Sequence, residues 1–165
     1  MATRGTWDAF SLQITGLATF PEIKPVNTDI MIAAFDAAAD ELCHLNGVAP
    51  QGLTGTLTLE VFGWMLSATT GTIGLRAEVE AVTPGDSLNR GTTHSFDSIN
   101  YATSATVPGT AGFEFQTTIT LTNNDSIAAG DDFIIRFGRD ADGTGTTDSA
   151  TADFHLSKIE LRDAA

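Results

Sequence analysis

Cysteine is almost absent from this chain of 165 residues: Cys43 is the only one. A lone thiol closes no intrachain bridge, which excludes a disulfide framework and points to folding in a reducing compartment. Cations are scarce too, with eight Lys and Arg against 21 Asp and Glu, a net charge of −13 and a sequence pI near 4.2. Those few cations are scattered, so no nucleic-acid partner is expected. No run of roughly eighteen apolar residues occurs, and the opening MATRGTWDAFSLQITG carries no secretory pattern, so neither a membrane partner nor export is expected. The Asn124-Asp125-Ser126 triplet, formally a glycosylation acceptor, is then a chance match.

What the chain has is alternation. A length of 165 residues suits one domain that buries roughly 70% of its unfolded surface. From Ile73 to Val82, Ile73, Leu75, Ala77, Val79 and Ala81 share one phase while Arg76, Glu78 and Glu80 take the other, as on a half-buried strand. Phe113, Phe115, Thr117, Ile119 and Leu121 repeat the rule, as do Phe133, Ile135 and Phe137, and near the start Phe10, Leu12 and Ile14. Leu57 to Met65 alternates with a second apolar phase at Phe62 and Trp64, so both faces of that strand are expected to be covered, by the N-terminal segment or by another subunit. In the last strand Phe154 and Leu156 are out of phase with Ile159 and Leu161, and a β-bulge near Ser157 and Lys158 would return both pairs to the core.

Turn-forming stretches such as TPGDSLNRG, VPGTAG and TNNDSIAAGDD separate these runs. About eight to ten strands without intervening amphipathic helices predict an all-β sandwich or barrel. Residues 1–27, ending in the two-proline stretch TFPEIKPVN, read as an N-terminal arm attached to a sandwich domain over 28–165. One stretch conflicts with the scheme: TDIMIAAFDAAADELCHLNG has Thr28 or Asp29 as an N-cap, an alanine-rich middle and Gly47 as a stop, and local propensity favours a helix.

Candidate chemistry is thin. In FGRDADGTGTTDSATADFHL, Asp140, Asp142, Gly145 and Asp148 match positions one, three, six and nine of a calcium loop, but position twelve, where a bidentate Glu belongs, is Thr151. A solvent-facing strand connection is the expectation for this stretch. His44, His94 and His155 show no metal-ligand spacing, and His155, opposite in phase to Phe154 and Leu156, reads as a surface residue. Cys43 and His44 are neighbours on one strand and point to opposite faces, so they make no nucleophile and base pair. There is no G-x-S-x-G elbow, and the Gly143 to Gly145 GTG lacks a strand–glycine–helix context. Trp7, Trp64 and Tyr101 are too few for a sugar-stacking platform and read as core or subunit packing. No catalytic, cofactor-binding or metal-ligating residue is assigned, no cofactor is expected, and the chain is not expected to be an enzyme.

The order of segments from Ile32 to Arg162, and above all AAGDDFIIRFGRDADGTGTTDSATADFHL, where a strand ends in Arg-Asp before an Asp-rich turn and a final strand, resembles a family of small tailed-phage virion proteins. The resemblance implies a jelly-roll β-sandwich, with Ile30 to Phe35 and Glu41 to Leu45 extended around a loop at Asp36 to Asp40, against the propensity for helix. It further implies an accessory structural role, decorating or cementing a capsid or contributing to tail and fibre assemblies; a place on the outer capsid surface, after synthesis in the host cytoplasm, is the expectation. The partners implied are further copies of the chain, as a homotrimer, and the major capsid protein. The rival expectation is a carbohydrate- or receptor-binding module of the tail.

Overall fold

The computed structural model describes residues 1–9, 11–13, 19–88 and 91–163. Twelve strands in those residues run β1 (Ala2–Asp8), β2 (Glu22–Pro25), β3 (Met31–Phe35), β4 (Leu42–Val48), β5 (Leu57–Met65), β6 (Thr72–Ile73), β7 (Leu75–Val82), β8 (Asn100–Tyr101), β9 (Ala105–Thr106), β10 (Phe115–Thr120), β11 (Asp132–Arg139) and β12 (Phe154–Asp163). The described residues contain no helix, and so none long and apolar enough to cross a membrane.

Ten of these strands form two antiparallel layers, and β6 pairs with β9 apart from them. One sheet runs β10–β5–β12–β3–β2 and the other β4–β11–β7–β8. Successive strands β3, β4, β5 and β7 alternate between layers; β8 stays beside β7, and β10, β11 and β12 alternate again. That connectivity, with the first and last of these eight strands adjacent, defines a jelly roll. The protein is an all-β jelly-roll sandwich.

Alternation places the core between the layers. Leu57, Leu59, Val61 and Met65 of β5 face Leu75, Ala77 and Val79 of β7 and Phe133, Ile135 and Phe137 of β11 within one buried cluster. Phe35 packs edge-on to Phe137 at 5.7 Å between ring centroids and lies tilted against Phe154 at 6.3 Å, joining three strands at one end of the core. The bulge in β12 is present: the register with β5 shifts between Leu156 and Lys158, and Phe154, Leu156, Ile159 and Leu161 are all buried. Its position is where the edge partner of β12 changes, from β3 at Phe154–Leu156 to β1 at Lys158–Asp163.

The alanine-rich stretch is two strands, β3 and β4, around a turn, as the resemblance implied and against its helical propensity. Ala33 and Phe35 fill the core from β3 while Cys43 and Leu45 do so from β4, so burial on a period of two outweighs the few tenths of a kcal/mol per residue that favour a helix. The segment expected to be an arm contributes β1 and β2 to the larger sheet, and Trp7 and Leu12 join the core. Of the early strand expected around Phe10, Leu12 and Ile14, Phe10 and Ile14 lie outside the described residues. Phe113, expected inward, is exposed because β10 begins only at Phe115 and the backbone turns before it.

Candidate functional site

The acidic stretch is a solvent-facing connection only in part: Asp142, Thr144, Gly145, Thr147 and Ser149 are exposed, while Asp140 and the Asp148 side chain turn inward. Arg139, the last residue of β11, is fully buried and meets the carboxylate of Asp148 through two bonds, Nε to Oδ2 and Nη2 to Oδ1, each 2.8 Å. The same guanidinium donates to the carbonyls of Ala152 at 2.8 Å and Ala150 at 2.7 Å, so its fork is spent on the descending half of the turn. Asp148 Oδ2 also accepts the Gly74 amide at 3.1 Å, which fixes the loop to the start of β7, the strand beside β11. Asp140, also fully buried, accepts the backbone amides of Gly145 at 3.0 Å and Thr146 at 2.8 Å and the Thr144 hydroxyl at 3.4 Å. The carboxylates replace backbone partners that an irregular chain would otherwise lack.

Only two of the three calcium-like aspartates end up together. Asp148 turns to Arg139, and the third member of the remaining group is Asp40, from the turn between β3 and β4: Asp40, Asp140 and Asp142 each bring one carboxylate oxygen within 4.8 Å of the others. These three are the residues that could hold a hard cation such as calcium, which takes carboxylate oxygens. Each already accepts hydrogen bonds: Asp40 from Arg76 Nη1 at 3.1 Å and the Asp142 amide at 3.3 Å, Asp140 from the amides of its own turn, and Asp142 Oδ1 from the Thr144 amide at 3.0 Å. Sequence spacing had no means of finding Asp40, which sits a hundred residues upstream of Asp140 and meets it only through the fold.

Glu80 is a second correction. Its phase is that of solvent, yet it is fully buried because the segment after β7 folds back over the outer face of the smaller sheet. Ser95 donates its amide to Glu80 Oε2 at 2.8 Å and His94 Nδ1 lies 3.1 Å from the same oxygen. Phe96 of that segment lies under the Arg136 guanidinium, 3.9 Å from ring centroid to Cζ, and stacks on His44 at 6.2 Å. Burial, with Arg136 and His94 adding to it, pushes the His44 imidazole below its ordinary pKa. Cys43, on the opposite face of β4, is fully buried, and burial pushes its thiol far above the reactive range.

The outer face of the larger sheet has a charged half and an aromatic half. Arg162 Nη1 pairs with Glu60 at 2.9 Å and its Nη2 with Glu160 at 2.7 Å, while Lys158 Nζ pairs with Glu160 at 2.9 Å; these cations hold the Glu160 carboxyl down to about 2. Gln116 donates to Glu60 from β10. Lys158 also lies over the Phe62 ring, 4.4 Å from its centroid. Beyond it Trp64 meets His155 edge-on at 5.8 Å. His155, expected at the surface, is only 3% exposed, lying against its cross-strand neighbours Ala34 and Trp64 on the outer face. A depression of about 230 Å³ opens beside it, with Ala34 on its floor and Phe20, Glu22, Asp36, Glu41 and Asp153 around it. Burial, then the like charges of Asp36, Asp153 and Glu22, raise the Glu41 carboxyl above its ordinary pKa. Trp7, Trp64 and Tyr101 do not converge: Trp7 is in the core with Nε1 donating to the Asn46 carbonyl at 3.1 Å, Trp64 is on the outer face of one sheet, and Tyr101 is in β8 of the other.

No protein-family model matches the chain, and no curated protein matches it. Among solved structures it is similar to an exo-β-1,3-galactanase from Phanerochaete chrysosporium determined with galactose, at 13% identity and a TM-score of 0.47, over 98% of this chain and 30% of that one. The chain thus spans under a third of that enzyme's length.

Proposed function

We propose that the protein is a non-enzymatic structural component of a phage virion, a trimeric decoration or cement protein that bridges major capsid subunits on the outer shell. The resemblance of Ile32 to Arg162 to small phage virion proteins motivates this reading. The observation that carries it is where the acids go: in the densest cluster, Asp140 and the side chain of Asp148 are buried and bonded to their own chain, so the loop acts as a brace. Two sheets braced in this way make a stiff tile, and a stiff tile loses little conformational freedom when it docks. Its mechanism is mechanical. Each copy adds a modest interface, and a closed symmetric arrangement repeats that interface over the shell.

The contact face in this reading is the aromatic half of the larger sheet, where Phe62 and Trp64 are half-buried and Leu66 and Phe113 are exposed nearby. Leu66 and Phe113 share an end of the sheet, because Leu66 follows Met65 and the Met65 carbonyl accepts the amide of Gly112 at 3.1 Å. The test has two arms. Trp64→Glu is expected to give monomers in multi-angle light scattering where the parent chain gives trimers; a parent that is itself monomeric, or a variant that stays trimeric, removes the contact. Electron microscopy of purified virions is expected to show the protein on the head, and a tail position would favour the receptor-binding alternative.

A further inference from the structure

His155 lies at the centre of a row across four strands, Glu22–Ala34–His155–Trp64, all in register and all on the outer face of the larger sheet. It is 3% exposed, and neither ring nitrogen has a hydrogen-bond partner. A buried imidazole in that state is tolerable only while neutral. A proton would create a cation with two N–H donors and no acceptor, in a place closed to water. The groups facing it add to the conflict on one side and offer relief on the other. Burial, with the like charge of Lys24 on β2, pushes the imidazole below its ordinary pKa, and Asp153, two residues back and just before β12, acts the other way. Lys158, next along β12, is committed to Glu160. The facing residue of β5 is Trp64, which does not titrate.

On the side away from Trp64 the row continues over Ala34, whose methyl group leaves the floor of the depression low. Its walls carry Glu22 from β2, Asp36 after β3, Glu41 before β4 and Asp153 before β12. Glu22 is directly across Ala34 from His155, about two strand spacings away, within the combined reach of a glutamate and an imidazole. Its carboxylate is paired with Lys24 Nζ at 2.8 Å, an exposed and therefore weak ion pair that the charged ring would share or displace.

We propose that His155 is a proton switch: on protonation in mildly acid solution the ring leaves the edge of Trp64 and turns across Ala34 toward Glu22 and Asp153, loosening the β2–β3 edge and uncovering the Trp64 face. The neutral ring is the latch, and the acidic depression receives the charged one. Because the open form binds the proton more tightly than the closed form, acid must favour opening. Below the ordinary histidine pKa of about 6.5 the open population grows by up to about tenfold per pH unit until the closed form also protonates.

The experiment follows three signals on the intact chain from pH 8 to pH 4. These are the His155 ring resonances by NMR, indole emission with Trp64→Phe as the blank for Trp7, and hydrogen exchange at residues 22–25 and 31–35 corrected for the intrinsic rate. The expected result is one shared transition below pH 6.5 in all three. His155→Phe, which keeps a ring in the site, is expected to abolish the emission and exchange transitions. Glu22→Gln with Asp153→Asn is expected to move the transition to lower pH, since the cation loses its acceptors. The proposal is overturned if His155 titrates at the ordinary value with Trp64 emission unchanged, if it does not titrate before global acid unfolding, or if the transition survives in His155→Phe.

Discussion

Arg139 and Asp148 form a two-bond ion pair with side chains 0% and 2% exposed, nine residues apart in sequence and on opposite sides of one turn. Removing one member strands the other in a place without water. Asp148→Ala is therefore expected to cost about 3–5 kcal/mol, the range for an uncompensated buried charge. Replacing both, Arg139→Met with Asp148→Leu, is expected to recover much of that loss, because no isolated charge remains. Urea denaturation midpoints of the three chains measure both effects; a double variant no better than the single one would show that the bonds from Arg139 to Ala150 and Ala152 matter more than the charge pairing.

The same pair bears on metal. With Asp148 bound to Arg139 and Gly74, and Asp40 bound to Arg76, the turn is complete without an ion. Chelator is expected to leave the melting temperature unchanged, and millimolar calcium is expected to leave it unchanged as well. A rise of several degrees with calcium would instead assign a cation to Asp40, Asp140 and Asp142, since any ligand of the folded state alone stabilises it by mass action.

How much of this was legible in the sequence follows from the range of each signal. The sandwich was, because side-chain alternation is local and repeats in every long strand, and even the β12 bulge showed as a phase slip between Leu156 and Ile159. The β3–β4 pair was not legible from local propensity, since Ala33, Ala34 and Ala38 favour a helix wherever nothing larger decides. The burial of Glu80 and His155 was invisible for a different reason. Phase assigns a residue to the outer face of a sheet, and only the three-dimensional course of residues 91–99 and the cross-strand row at Trp64 determine whether that face is wet. Composition likewise identified the Asp140 turn as polar and could not show that Asp148 points inward at Arg139 and Asp140 at the turn's own amides, while Asp142 stays exposed.

Gly145 marks where that turn meets β8. A Cβ built there would lie 1.9 Å from a Tyr101 ring carbon, so Gly145→Ala must displace either the ring or the loop. The expected cost is about 1–3 kcal/mol, typical of overpacking. Tyr101→Ala in the same chain is expected to relieve it, and a double-mutant cycle on thermal unfolding reads the coupling. Additive losses would mean that the loop, not the ring, gives way.

The N-terminal strand supplies the clearest acid dependence. Arg4 Nη2 lies 2.8 Å from Asp163 Oδ2 and the Thr54 amide donates to the same oxygen at 3.0 Å, tying β1 to the end of β12. The Arg4 guanidinium, helped by that amide, holds the Asp163 carboxyl down to about 2. A carboxyl depressed in the folded state stabilises the fold above its ordinary value of 3.8 and loses that contribution as pH falls toward about 2. Hydrogen exchange at residues 2–8 is therefore expected to accelerate, relative to the intrinsic rate, between pH 4 and 2 in the parent chain. In Asp163→Asn the same amides are expected to exchange faster already at pH 5, with little further change on acidification. Parent and variant amides that respond alike to acid would show that β1 is held by Trp7 in the core rather than by the Arg4–Asp163 tie.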